Sequence, residues 1–350
     1  MSDRPIRIGL GMLPHPDGPH TTSGYASYTS RLLELFRSDP IVDVVPMLEP
    51  ASRLGPSSPH RIVRAAHRFA AQHSSLRRGV RRAEVAHVPE IEYTAPGLSP
   101  YSAAGEARIE WFDQLVDRQA LDACHFILTG VLGTAPFEAC RRRGTPYVVT
   151  VVDYGAICGQ GIMRERDERI CSGPESPAKC TACLRAIGRV DARSLVIERR
   201  RRAYSHYYGH AERVFTFTQS HADLLSQWLE VDRSKFEVSP FAVPSPSPTF
   251  AKSESAFTPP IQFAFVARTC PEWGVSTLVD AWRRADVDPA QGILHLYTDD
   301  GFERSGLRAA NHDLIDRGSI VVTTDRVADR LDEVHAETAV VVVPSEWRNT

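Results

Sequence analysis

The chain has 350 residues, 42% of them hydrophobic, and a formal net charge of -2. That length exceeds what one hydrophobic core normally fills, so two domains are expected, and the balanced charge excludes a global pull toward nucleic acid, leaving anion binding to local clusters. No apolar run reaches the roughly 18 residues of a membrane span, and the opening MSDRPIRIGLGMLP lacks the apolar stretch of a signal peptide, so a cytoplasmic protein is expected.

In chain order, residues 6–10 read as a buried strand, followed by a Pro-, His- and Gly-rich loop. The stretch TTSGYASYTSRLLELF then places Tyr25, Tyr28, Leu32, Leu35 and Phe36 at helical spacing. Strand, glycine loop and helix open a doubly wound sheet, and Gly24 would let a phosphate approach the helix N-terminus. A second strand is expected over 42–47. Between Arg61 and Arg82 the chain carries seven arginines and no acid, with Ile62, Ala65, Ala66 and Phe69 on one helical face. That pattern suits an anionic membrane surface, a charged partner or a plain solvated basic face.

A helix is expected over 106–119, a short apolar run at CHFILTG, a helix near 135–142, and the strand YVVTVV ending at Asp153. Polar groups just beyond the carboxyl end of such a strand stand where open α/β sheets bind ligands, which makes Asp153 and Tyr154 candidates. A long helix over 190–210 carries the run Arg199 to Arg202, the strand VFTFTQS follows, and HADLLSQWL begins another helix. The Pro- and Ser-rich stretch SPFAVPSPSPTFAKSESAFTPP is the best domain boundary. Beyond it the alternation restarts with IQFAFVA, GVSTLVDAWRRA, ILHLYT, SIVVTT, a helix near 327–335 and AVVVVP. The expected architecture is therefore α/β: a Rossmann-like domain over 1–240 with a cysteine-rich insertion at 155–188, a linker at 241–260, and a second Rossmann-like domain over 261–350, the two facing each other across a cleft.

Of the seven cysteines, four cluster as Cys158, Cys171, Cys180 and Cys183, the last two in C-x-x-C spacing that is expected to put two thiolates on one tight turn. Four thiolates are what a closed tetrahedral zinc site takes, and the insertion has little apolar content with which to order itself. Structural zinc is the leading expectation. Disulfide or redox use, an iron–sulfur cluster, and buried free thiols are the alternatives. Irregular spacing and mixed local charge argue against a zinc ribbon that binds nucleic acid.

Several segments together resemble the retaining glycosyltransferases of family four, which have the GT-B fold. SGYASYTSRLLELF is similar to the family's glycine loop and first helix near the donor phosphates. RRRGTPYVVTVVDYGAICG resembles the strand that delivers a His-Asp pair, and a subset of the family follows it with a cysteine group like CSGPESPAKCTACL. VFTFTQSHADLL resembles the strand-Ser-helix step, with Ser220 at the serine, and FVARTCPEWGVSTLVDAW resembles the diphosphate signature, with Arg268 at the arginine. This resemblance implies transfer of a hexose from a UDP- or GDP-linked donor to a saccharide or lipid-linked acceptor, in polysaccharide biosynthesis and without a catalytic metal. Asp153 would orient the acceptor hydroxyl, while Gly24 and Arg268 would meet the donor phosphates. The basic segment 61–82 would contact the cytosolic face of the membrane.

The chain departs from that pattern at identifiable positions. Val152 stands where the family has histidine, Trp273 where it has lysine, and Phe241 and Ala242 where it has Asn-Gly. Asp299 and Asp300 replace a Gly-rich turn and would repel a diphosphate. The chain stops at PSEWRNT, before the family's terminal glutamate pair, for which Glu346 cannot stand in, so the second domain is expected to be incomplete and its last strand, 339–343, to be left uncovered. These departures imply either a fragment or a decayed relative. A non-catalytic relative that binds a sugar, a lipid or a partner is the alternative function, and a sugar-nucleotide epimerase on the same fold is a more distant one.

Overall fold

The structure, a computed structural model, describes residues 4–12, 24–48, 103–127, 133–165, 169–186, 194–241, 257–299, 301–324 and 331–346. Its contacts divide the chain into two compact units, Met1–Phe241 and Ala242–Arg348. Most of the expected linker, and all of the basic segment 61–82, lie outside the described residues.

The first unit alternates strands and helices: β1 (Ile6–Met12), α1 (Gly24–Ser38), β2 (Val42–Leu48), α2 (Ala103–Arg118), β3 (Ala123–Ile127), α3 (Ala135–Arg143), β4 (Tyr147–Thr150), α4 (Pro177–Ala186), α5 (Ser194–His210), β5 (Arg213–Thr216), α6 (Gln219–Leu229) and β6 (Phe236–Val238). The strands form one sheet in the order β2-β1-β3-β4-β5-β6, with every pairing parallel. Parallel sheets are covered on both faces, which is why strands such as ACHFI are apolar without strict alternation. From β1 the chain moves outward to β2 and then returns to β3 on the other side, so the order reverses at β1 and β3, where doubly wound folds present ligands.

Local chemistry sets the helix ends. Helix α3 starts with a proline in its first turn and stops at Gly144, whose φ of 66° is left-handed and lets its N–H reach back to the carbonyls of Arg141 and Cys140. Helix α6 is capped by the Thr218 hydroxyl, which accepts the His221 N–H at 3.3 Å. Against the sheet, Phe137 stacks on Tyr147 with centroids 5.5 Å apart and meets Phe126 edge-on at 5.1 Å. The Tyr147 hydroxyl donates to the Tyr207 carbonyl at 2.6 Å, so the buried phenol keeps a partner.

The second unit repeats the plan on a smaller scale: β7 (Ile261–Val266), α7 (Val275–Ala285), β8 (Gly292–Tyr297), three short helical turns between 301 and 316, β9 (Ile320–Thr323), α8 (Leu331–Glu337) and β10 (Val340–Val341). Its parallel sheet runs β10-β7-β8-β9, so the order reverses at β7. Helix α7 buries Val275, Leu278, Val279 and Trp282, an i, i+3, i+4, i+7 stripe, against Phe265, Leu294, Leu296 and Phe302. The Trp282 indole donates to Ser319 Oγ at 2.9 Å.

Three elements differ from expectation. The short edge strand β6 lacks the apolar run that marks the others. The C-x-x-C pair lies on helix α4 rather than on a tight turn. Only two residues of the last apolar run pair as β10, and Val343 beyond them is 72% exposed. Among the described residues no helix is long and apolar enough to cross a membrane.

Candidate functional site

Beyond β4 the chain runs through Val151 and Val152 to Asp153. Val152 is buried and packs in one cluster with Leu10, Ile127 and Phe217, with Tyr28 and Leu32 of α1 against it. The position that would hold a histidine is thus part of the core. Asp153, the next residue, is half-buried. One of its carboxylate oxygens accepts the Gly155 N–H at 2.7 Å, and its carbonyl accepts from His221 Nε2 at 3.2 Å. Burial pushes the Asp153 carboxyl up, while the Gly155 N–H and the charge of Arg200 pull it partly back. Arg200 itself donates to the Gly155 carbonyl, tying α5 to this loop.

His221 is fully buried and lies edge-on to Tyr154, with ring centroids 4.6 Å apart. Burial lowers its pKa to about 4, against the raising effect of its hydrogen bond to Asp153, so the ring is neutral with the proton on Nε2. Its Nδ1 has no hydrogen-bond partner among the described residues. The motif TQSHADLL carries His221 directly after Ser220, but nothing in its local pattern marks it. Tyr154, a candidate by its place after β4, is buried as the wall for this histidine. Ser220 is exposed in the first turn of α6, and its hydroxyl lies 3.3 Å from that of Thr218.

A second polar line crosses the same end of β4. His125 Nε2 lies 2.7 Å from Thr150 Oγ1, and Thr150 is also bonded to the Tyr28 hydroxyl. The Tyr28 ring meets Phe217 and Phe241 edge-on at 5.3 and 5.2 Å, and Phe217 and Phe241 stack at 3.7 Å. Phe241, which stands where an Asn-Gly pair was looked for, therefore closes an aromatic cluster over α1. Gly24 is the first residue of α1, and the loop before it lies outside the described residues.

In the second unit Arg268 follows β7, at the reversal of strand order. Its Nε stands 3.3 Å from Asp299 Oδ2, and its side chain is 61% exposed. The other Asp299 oxygen accepts the N–H groups of Thr269 at 3.0 Å and Gly301 at 3.1 Å. Burial works to raise the Asp299 carboxyl, but the Thr269 N–H, the Arg268 guanidinium and the Gly301 N–H outweigh it and hold it below the ordinary carboxylate value. The carboxylate thus fills a cradle of two N–H groups and one guanidinium. Asp300 lies outside the described residues. Trp273 packs against the core of this unit, and the Glu346 carboxylate accepts from the Thr277 hydroxyl at 2.7 Å.

The four cysteines come together. Cys158, Cys171, Cys180 and Cys183 all line one cavity of about 490 Å³, with Met163, Arg164 and Lys179 among its other walls. All four are free thiols. Arg201 Nη2 donates to Cys180 Sγ at 2.9 Å, and Gln160 Nε2 to Cys183 Sγ at 3.4 Å. Burial pushes the Cys171, Cys180 and Cys183 thiols up. Among the described residues no three His, Cys, Asp or Glu side chains already stand close enough together to hold a metal ion.

No protein-family model matches the chain, and no curated protein matches it by sequence. Its architecture, two α/β units each built on a parallel sheet, is the GT-B fold. Among solved structures it is similar to a sucrose-phosphate synthase from Thermosynechococcus elongatus, with a TM-score of 0.58 and 14% identity over 99% of this chain and 77% of that one. It is similar also to HepE from Anabaena, solved with UDP and glucose, with a TM-score of 0.52 and 12% identity over 97% of this chain and 74% of that one. The apo lipopolysaccharide outer core galactosyltransferase WaaB gives a TM-score of 0.50 and 10% identity over the same shares, 97% and 74%.

Proposed function

We propose that this chain is a glycosyltransferase that moves a hexose from a nucleotide-diphosphate sugar to a saccharide or lipid-linked acceptor. The observation that carries this reading is the position of Asp153 and Arg268, each just beyond the carboxyl end of a parallel strand in a GT-B fold, where such sheets present ligands. The leaving diphosphate gathers negative charge, and a preorganised guanidinium with nearby N–H dipoles stabilises it without a metal. Arg268 fills that role in the second unit, with Thr269 N–H beside it. Asp153 orients the acceptor hydroxyl in the first unit, and Gly24 leaves room for phosphate at the start of α1. A UDP-type donor draws support from the UDP and glucose bound to HepE, and a saccharide or lipid-linked acceptor from the galactosyltransferase WaaB.

Calorimetric titration with UDP-, GDP- and ADP-sugars tests the donor half. One donor should bind saturably, and Arg268→Ala should abolish that binding. Asp153→Asn should keep donor binding and lose transfer. For the basic segment 61–82 the reading gives peripheral contact with an anionic bilayer at the cytosolic face, which co-sedimentation with anionic liposomes at low salt checks.

A second reading, a non-catalytic relative that binds a sugar, a lipid or a partner, is favoured by one observation: the Asp299 carboxylate occupies the guanidinium and the two N–H groups that a diphosphate would need. Saturable donor binding without turnover would select it.

A further inference from the structure

After β4 the chain leaves the first sheet and returns to it at α5, and among the described residues of this excursion Ala156, Ile157, Met163 and Leu184 are buried. Leu184 clusters with Ile197, with Cys180 against them. Two of its glycines mark close approaches: a Cβ on Gly173 would meet the Trp228 ring at 2.4 Å, and one on Gly159 would meet Leu184 at 2.8 Å. The same excursion gathers four of the chain's seven cysteines around one cavity. Cys158 comes from the loop after β4, Cys171 from the loop beyond it, and Cys180 and Cys183 from one face of α4. The other three lie elsewhere: Cys124 buried on β3, Cys140 buried on α3, and Cys270 in the second unit.

We propose that Cys158, Cys171, Cys180 and Cys183 bind one zinc ion as thiolates, and that this ion holds residues 155–188 to the first unit. Four sulfurs from three stretches complete the donor set of a closed structural site. The surroundings suit the charge of such a centre. One zinc with four thiolates carries two net negative charges; Arg201 contacts Cys180 Sγ directly, and Arg164 and Lys179 stand on the cavity wall, where Lys179 also pairs with Glu175 and Glu165. Gln160 donates to a second sulfur. Donors aimed at sulfur are the outer shell of a metal thiolate and a poor use of a guanidinium beside a neutral thiol. Because the sulfurs line the cavity without meeting at a point, binding must draw α4, Cys158 and Cys171 inward as four thiol protons leave, and the metal then fixes these stretches to one another.

The test is metal analysis of the full chain purified from zinc-supplemented culture. About one zinc per chain is expected, falling below about 0.2 in Cys171→Ser and in Cys183→Ser, and unchanged in Cys270→Ser. Should either ligand variant fail to fold, the wild-type chain stripped by chelator and reloaded with cobalt provides the readout: a thiolate-to-cobalt charge-transfer band, with protection of 155–188 from proteolysis. Arg201→Ala should keep the zinc and weaken its affinity by about 10- to 100-fold. Less than half an equivalent of zinc in folded wild-type protein, iron with acid-labile sulfide, or a disulfide among the four would each overturn the proposal. These outcomes do not depend on donor binding, so the transferase reading stands or falls separately.

Discussion

Arg268 and Asp299 form a closed pair at the carboxyl end of the second sheet, with Nε 3.3 Å from Oδ2, while the other carboxylate oxygen takes the N–H groups of Thr269 and Gly301. The chain thus supplies its own anion at the position the proposed function gives to a donor phosphate. With its pKa held low, Asp299 stays ionised through neutral pH. Replacing it with Asn keeps the size of the side chain and removes the charge. Asp299→Asn should therefore tighten nucleotide-sugar binding by about tenfold or more, equivalent to about 1.4 kcal/mol of relieved repulsion. Calorimetry on both proteins reads this directly, and equal or weaker affinity in the variant would show that Asp299 is no competitor.

Stability should fall on acidification. Burial holds His125 and His221 at about 4, so the folded state takes up their protons later than the unfolded chain, whose histidines titrate near 6.5. Between those values the unfolded state binds more protons. The contribution is present in full above pH 6.5 and is lost as the pH falls toward 4. At about 1.4 kcal/mol per pKa unit, each histidine is worth up to about 3 kcal/mol. Asp153, whose carboxyl is raised by burial, works in the opposite direction and offsets part of the loss. Thermal melts from pH 7 to 4.5 should show a falling midpoint, and His125→Gln, which can still donate to Thr150, should flatten the slope.

Two glycines should respond in opposite ways to alanine. Gly274 has a φ of 72°, and a Cβ there would lie 2.1 Å from the Pro344 carbonyl oxygen. Strain and backbone overlap together should cost the second unit about 2 kcal/mol or more. Gly209, in the last turn of α5, has open space around it, and Gly209→Ala should stabilise by about 0.5 kcal/mol. Denaturant midpoints for the two variants should move apart; movement in the same direction would contradict the geometry.

Placing a histidine at Val152 should not add a working group to the site. The residue is 3% exposed among Leu10, Ile127 and Phe217, so Val152→His buries an imidazole without a partner at a cost of about 2 kcal/mol. Loss of stability without any gain in transfer is the expected outcome of paired melting and activity assays.

Much of this fold was legible because parallel strands and their covering helices carry strong local patterns. The apolar runs at β1, β7 and β8 and the Val275, Leu278, Val279, Trp282 stripe read directly as strand and helix. Strand β6 was not legible, since Phe236–Val238 is three residues long and pairs only with β5. The C-x-x-C spacing was read as a tight turn where the structure has a helix, and the meeting of this pair with Cys158 and Cys171 in a single cavity follows from the path of the loops. At the candidate site the place of Asp153 just beyond β4 was legible from the strand pattern, whereas Arg268 was singled out by the family resemblance. His221 was not legible, because its role comes from the packing of α6 under the β4 loop. The part played by Asp299 was half legible: charge foretold repulsion, while the hydrogen bonds from Thr269 and Gly301 required the fold.

The most direct test of the nucleotide-sugar reading is calorimetric titration of UDP- and GDP-sugars into three proteins: the wild type, Asp299→Asn and Arg268→Ala. The account predicts saturable one-to-one binding of one donor class, tighter in Asp299→Asn and abolished in Arg268→Ala. Silence toward every donor in folded Asp299→Asn, where the competing charge is gone, would contradict it.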